Sequence, residues 1–169
     1  MSPWRHPVNP GVAAQANDSA FSAGAAYVFV RSGTTWTQQA YLKPSNPDVE
    51  DSFGSRLALS GDGDTLGIGA QNEDSAAQGL TGRQDDNSAL EAGALYLFTR
   101  TTGTWTQTNY VKASNNEAFD EFSGSIALNR DGRILAVGAR GEDSSAQGIN
   151  GSQTDNSLDE SGAVFVFTR

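Results

Sequence analysis

Apolar residues in this chain come in short runs of five to eight, separated by turns rich in Gly, Asp, Asn and Ser. Within the runs, β-branched and aromatic residues dominate, and no window shows the 3.6-residue spacing of an amphipathic helix. The clearest run, Gly93-Ala-Leu-Tyr-Leu-Phe-Thr-Arg100, is apolar at nearly every position, the pattern of a strand buried on both faces. It returns as Gly24-Ala-Ala-Tyr-Val-Phe-Val-Arg31 and Gly162-Ala-Val-Phe-Val-Phe-Thr-Arg169, at intervals of 69 residues. A period of that length marks a repeat architecture.

Each remaining element takes its place by phase within the repeat. Strands are predicted over 24–31, 35–42, 53–59, 65–70, 93–100, 105–111, 122–128, 134–139 and 162–169. Alternating polar residues in Trp36-Thr-Gln-Gln-Ala-Tyr-Leu42 predict an outer, half-exposed strand, and Pro44 and Pro47 end its ladder. Gly61-Asp-Gly-Asp64 and Arg130-Asp-Gly132 read as tight hairpins. A long acidic, Gly-rich loop fills 71–92 and again 140–161; across 70–100 and 139–169, 18 of 31 positions are identical. One unit is thus four antiparallel strands with an oversized loop between the second and third. The boundaries that follow are 1–42 for a partial blade (strands three and four), 43–111 for a complete one and 112–169 for another partial one (strands one to three). Residues 1–8 lack the Glu-Asp-Ser triplet of 73–75 and 142–144 and are expected to fray or engage elsewhere.

Four-stranded units repeated head to tail are propeller blades, and the expected fold is all-β. Phe53-Gly54 with Gly69-Ala70, Phe122 with Gly138-Ala139, and the Gly-Ala-x-Tyr/Phe-x-Phe strand resemble the FG-GAP repeat, the blade of integrin α-subunit propellers and of many bacterial surface and secreted proteins. Gln71 and Arg140 depart from the family's Gly-Ala-Pro, and Ser123 replaces the glycine after Phe122. The resemblance implies a non-catalytic, extracellular or bacterial cell-surface module of the adhesion type. The competing expectation is a lectin-like or carbohydrate-active protein using Trp36, Trp105 and the acidic loops. Packing between blades is the other role open to those tryptophans.

Composition narrows the partners. A net charge of −9 argues against nucleic acid and anionic membranes, and no apolar run is long enough for a membrane span. No export signal is visible near Met1. There is no cysteine, and the single histidine, His6, lies outside the repeats, so neither thiolate chemistry nor a histidine-based triad is expected. Asn17-Asp-Ser19 and Asn150-Gly-Ser152 fit the glycosylation acceptor pattern.

The calcium hairpin that the resemblance implies does not carry over: Asp62 and Asp64, or Asp131 beside Arg130 and Arg133, are too few carboxylates. If calcium binds, its ligands are expected in the long loops, at Glu73, Asp74, Asp85, Asp86 and Asn87 and at Glu142, Asp143, Asp155 and Asn156. Turn-capping by the same side chains is the alternative. Nine strands make about two and a quarter blades, fewer than a closed ring needs. The partners expected are therefore other copies of this chain, in a ring or a filament, or further blades of a longer propeller.

Overall fold

The computed structural model describes residues 20–80 and 82–169; His6, Asn17 and the start of the chain lie outside the described residues. Nine strands run in order as β1 (Ala26–Ser32), β2 (Thr35–Leu42), β3 (Phe53–Leu59), β4 (Thr65–Ala70), β5 (Ala94–Thr101), β6 (Thr104–Val111), β7 (Phe122–Leu128), β8 (Ile134–Ala139) and β9 (Ala163–Thr168). There is no helix among the described residues. The strands form three antiparallel meanders: β1-β2, β3-β4-β5-β6 and β7-β8-β9. All nine strands lie where the apolar runs predict them. Gly24, Gly93 and Gly162 precede their strands rather than open them, because each sits at positive φ.

The continuous apolar run of β5 has a direct structural cause. Its side chains point alternately to opposite faces, and each face meets a different blade. Tyr96 and Phe98 join Phe53, Ile68 and Tyr110 against Ala26 and Leu42 of the first sheet. Leu95 and Leu97 join Val111 and Ala113 against Phe122, Leu135 and Val137 of the third. Phe53 meets Tyr96 edge-on with ring centroids 5.4 Å apart, and Phe122 meets Phe165 likewise at 5.7 Å. β7 lies across β3, β4 and β5, so the strand that opens the third blade seals it to the second.

The residue after that opening phenylalanine is a tight spot. Gly54 has φ +93°, and a Cβ there would come within 2.6 Å of the Ala25 carbonyl oxygen. Ser123 occupies the equivalent place at φ +79°, fully buried, and its hydroxyl has no hydrogen-bond partner. Left-handed backbone costs a non-glycine residue about 1–3 kcal/mol, and a buried unpaired hydroxyl adds to that. Ser123→Gly is therefore expected to raise the unfolding free energy by about 1 kcal/mol after the entropy of the added glycine is subtracted. Denaturant titration reads this directly, and a loss of stability would refute it.

Candidate functional site

The loop joining β4 to β5 folds back over the end of β6 and buries a carboxylate there. Glu73 accepts hydrogen bonds from the Ser75 backbone N–H at 3.1 Å, the Tyr110 hydroxyl at 2.7 Å and the Lys112 ammonium at 2.9 Å. The Lys112 and Glu73 side chains are 0% and 2% exposed, so this ion pair lies out of water. Burial pulls the Lys112 ammonium below its ordinary value, and the Glu73 charge opposes that shift. Burial, reinforced by the same charge, pushes the Tyr110 hydroxyl up. Alongside, the Tyr96 hydroxyl donates to Asn46 Oδ1 at 2.8 Å, while Asn46 Nδ2 donates to the Gln84 carbonyl at 2.8 Å. The loop is thus tied down through groups from β5, β6 and the β2–β3 connection.

The other loop residues singled out in the sequence are engaged locally. Asp74 Oδ1 accepts the Glu91 N–H at 2.8 Å, and Asp143 Oδ1 accepts the Glu160 N–H at 2.7 Å. Asp86 accepts from the Ala76 N–H at 3.2 Å, and Asp155 from the Ser157 N–H at 3.1 Å and the Ser145 hydroxyl. Asp85 pairs with Arg83 on the surface at 3.1 Å. Asn87 donates to Asp48 at 2.6 Å, and Asn156 to Glu117. Glu142 accepts from Asn115 Nδ2 at 2.9 Å and from the Ser144 N–H at 3.1 Å. These carboxylates do not converge. Among the described residues no three His, Asp or Glu side chains form a group suited to a metal ion, whereas calcium needs six to eight oxygens around one point. The loop residues do not gather around one point for that ion; Asp74, Asp86, Asp143 and Asp155 cap loop backbone N–H groups, and the others pair with side chains.

The two aspartates that precede the opening strands are the most shifted acids. Burial pushes Asp51 and Asp120 each up to about 6, with the negative charge of Glu73 adding to the effect on Asp51 and those of Glu117 and Glu142 to that on Asp120. Gln71 and Arg140, the two departures from Gly-Ala-Pro, converge on a single carboxylate, both donating to Glu121. The Arg140 hydrogen bonds hold Glu121 below the usual carboxylate range. A proline at either site would leave Glu121 without that donor.

The hairpins are turns. Asp62 Oδ1 accepts from the Ser60 hydroxyl at 2.6 Å and the Asp64 N–H at 3.0 Å, and Asp64 pairs with Arg100 at 2.9 Å. Trp105 lies between blades, its indole N–H donating to Gln39 Oε1 of β2 at 2.9 Å and its ring facing the Arg100 guanidinium at 5.5 Å. Trp36, at the same phase, is exposed, with Arg31 over its ring at 6.0 Å.

The FG-GAP repeat family profile matches residues 36–98 and 105–167, most of the chain and one repeat period apart. The chain belongs to the FG-GAP repeat family. No curated protein matches the sequence. The matched segments begin at the two equivalent tryptophans, so the family unit runs from the fourth strand of one blade through the third strand of the next. The FG-GAP unit therefore straddles two blades and contains the packing between them. Sequence reasoning missed Lys112, Tyr110, Asn46 and Tyr96 as one network with Glu73. The available signal was Tyr-x-Lys, which recurs at 41–43 and 110–112 with the repeat period.

Proposed function

We propose that this chain is a non-catalytic, extracellular interaction module that joins other copies of itself, or further blades, through the faces of its end blades. The observation that carries this reading is a difference in exposure between equivalent residues. Leu95 and Leu97 in β5 are 0% and 8% exposed, whereas Val164 and Val166, their counterparts in β9, are 69% and 64% exposed. At the opposite end, Tyr27 and Phe29 are 48% and 45% exposed, whereas their counterparts Tyr96 and Phe98 are 0% and 4%. In the middle of the molecule these two kinds of face cover blade against blade. At its ends they form apolar patches of the kind that mark interaction surfaces. An adhesion-type scaffold needs no catalytic group, only such faces and rigid loops. No helix among the described residues is long and apolar enough to cross a membrane.

Light scattering across a concentration series tests the reading. The parent chain is expected to associate at micromolar concentration, and a Val164→Asp/Val166→Asp variant to do so at least about tenfold less readily, the effect of about 1.4 kcal/mol. A parent that stays a folded monomer throughout, or a variant that associates as well as the parent, would overturn it.

A further inference from the structure

One carboxylate holds an amine and an amide at the same time. Glu73 Oε2 accepts from the Lys112 ammonium at 2.9 Å, and Asn46 Nδ2 contacts Oε1 of the same group at 3.4 Å. The Asn46 carbonyl oxygen in turn accepts the Tyr96 hydroxyl at 2.8 Å. Tyr96 and Lys112 are fully buried and Glu73 is 1% exposed, so the amine and the carboxylate are screened from water. A buried lysine, a carboxylate and a polarised amide are the parts of an amide exchange: nucleophile, proton carrier and electrophile. The chain has two lysines, and the other, Lys43, donates to the Gly24 carbonyl in an exposed setting.

Each part suits that chemistry. Burial lowers the proton affinity of the Lys112 amine, although the Glu73 charge opposes this. The Tyr96 O–H points at the oxygen on which negative charge develops during attack, the place of an oxyanion donor. Asn46 is followed by Pro47, which has no backbone N–H. The ordinary loss of side-chain ammonia, by cyclisation onto the next backbone nitrogen, is therefore closed at Asn46. The neighbouring copy of the arrangement lacks a part. Asn115 Nδ2 donates to Glu142 at 2.9 Å, but Phe165 stands at the phase of Tyr96, and the buried Asn115 Oδ1 has no partner among the described residues.

We propose that Lys112 and Asn46 join in an isopeptide bond, formed once within the folded chain, with Glu73 carrying the protons. Glu73 takes one proton from the ammonium, and the freed Nζ attacks Cγ of Asn46. Tyr96 donates to the oxyanion that results. The Cγ–Nδ2 bond then breaks as Glu73 returns its proton to Nδ2, and ammonia leaves. A second proton passes from Nζ to Glu73, which ends as a neutral acid beside a neutral amide. Nothing is oxidised or reduced, and no water is consumed. Two buried charges disappear, and with them the cost of holding ions out of water. The ion pair described above is the state before the bond forms.

The position of the bond gives it a consequence. Asn46 precedes β3 and Lys112 follows β6, so the link closes a covalent ring around all four strands of the middle blade. A chain without cysteine has no disulfide to do this. Like a disulfide of the same span, the link restrains the unfolded chain and so stabilises the folded one.

Intact-mass and tandem mass spectrometry of the purified, folded chain test the bond. The parent is expected to weigh less than its sequence by one ammonia. Trypsin is expected to release residues 32–56 and 101–130 as one joined species, uncut at Lys112. Lys112→Arg keeps a cation for Glu73 but cannot attack, because a guanidinium stays protonated. It and Glu73→Gln are each expected at full sequence mass, with circular dichroism confirming their fold. A folded parent at full sequence mass after prolonged incubation would overturn the proposal, even where a variant fails to fold. So would ammonia lost with no peptide joined to Lys112, or a link that forms equally well in Glu73→Gln.

Discussion

Replacing Lys112 with Met is expected to destabilise the chain by about 3–5 kcal/mol, the usual cost of stranding one member of a buried ion pair. Glu73 would keep its bonds from Tyr110 and the Ser75 backbone but lose its counter-charge, with its side chain only 2% exposed. For a domain of this size the thermal midpoint falls roughly 2–4 °C per kcal/mol, so a drop of about 10 °C is expected by circular dichroism. The double variant Lys112→Met/Glu73→Gln should recover part of the loss, because a missing pair costs less than a lone charge. A single-variant loss below about 1 kcal/mol would mean that Glu73 finds water or another donor. The consequence extends beyond this pair. Lys112 is where the long loop locks onto the fourth strand, so the variant should also loosen residues 73–84. Faster proteolysis at Arg83 would report this.

Gly93→Ala is expected to be comparably damaging for a different reason. Gly93 has φ +78°, and a Cβ placed on it would lie 2.2 Å from the Phe122 carbonyl oxygen and 2.6 Å from the Phe122 nitrogen. Both are backbone atoms of the strand that seals the third blade to the second, and they cannot swing aside as a side chain would. Strain at positive φ costs about 1–3 kcal/mol, and forcing the backbones apart costs a further 1–3 kcal/mol. A loss of at least about 3 kcal/mol is expected in denaturant titration. Gly33→Ala is the control: φ is +60° and no atom lies within 4 Å of the added carbon, so only the backbone cost of about 1 kcal/mol applies. Equal losses at the two positions would refute the close approach of the blades. The same geometry explains the phenylalanine-glycine and glycine-alanine signatures. Gly24 forms a parallel bridge with Phe53, and the Phe122 N–H donates to the Ala92 carbonyl at 3.0 Å, so each signature is one half of a blade-to-blade seam.

Much of the fold was legible because its determinants are local. A run of β-branched and aromatic residues closed by Asp-Gly or Ser-Gly specifies strand and turn within ten residues, and the repeat supplied an independent reading of each element. The candidate site was less legible. Glu73 stands out by its recurrence at Glu142, but its partner Lys112 lies 39 positions away on another strand. A lysine after a half-exposed strand reads as a solvated charge until the loop is seen to close over it. The acidic residues of the loops look alike in sequence, yet Asp74 caps a turn, Asp85 meets Arg83 in solvent and Glu73 is buried.

The amino-acid sequence by itself determined the all-β class, the strand positions, the period and the family, because these follow from backbone preference and alternation along the chain. Tertiary structure alone decided which equivalent residues do different work. Trp36 and Trp105 share a phase, but Trp36 is exposed whereas the Trp105 N–H reaches Gln39 of β2. Leu97 and Val166 share a face, but Leu97 is buried beneath the third blade while Val166 is exposed among the described residues. Burial belongs to the neighbours a residue meets in space, and two copies of one repeat carry the same side chains into different surroundings.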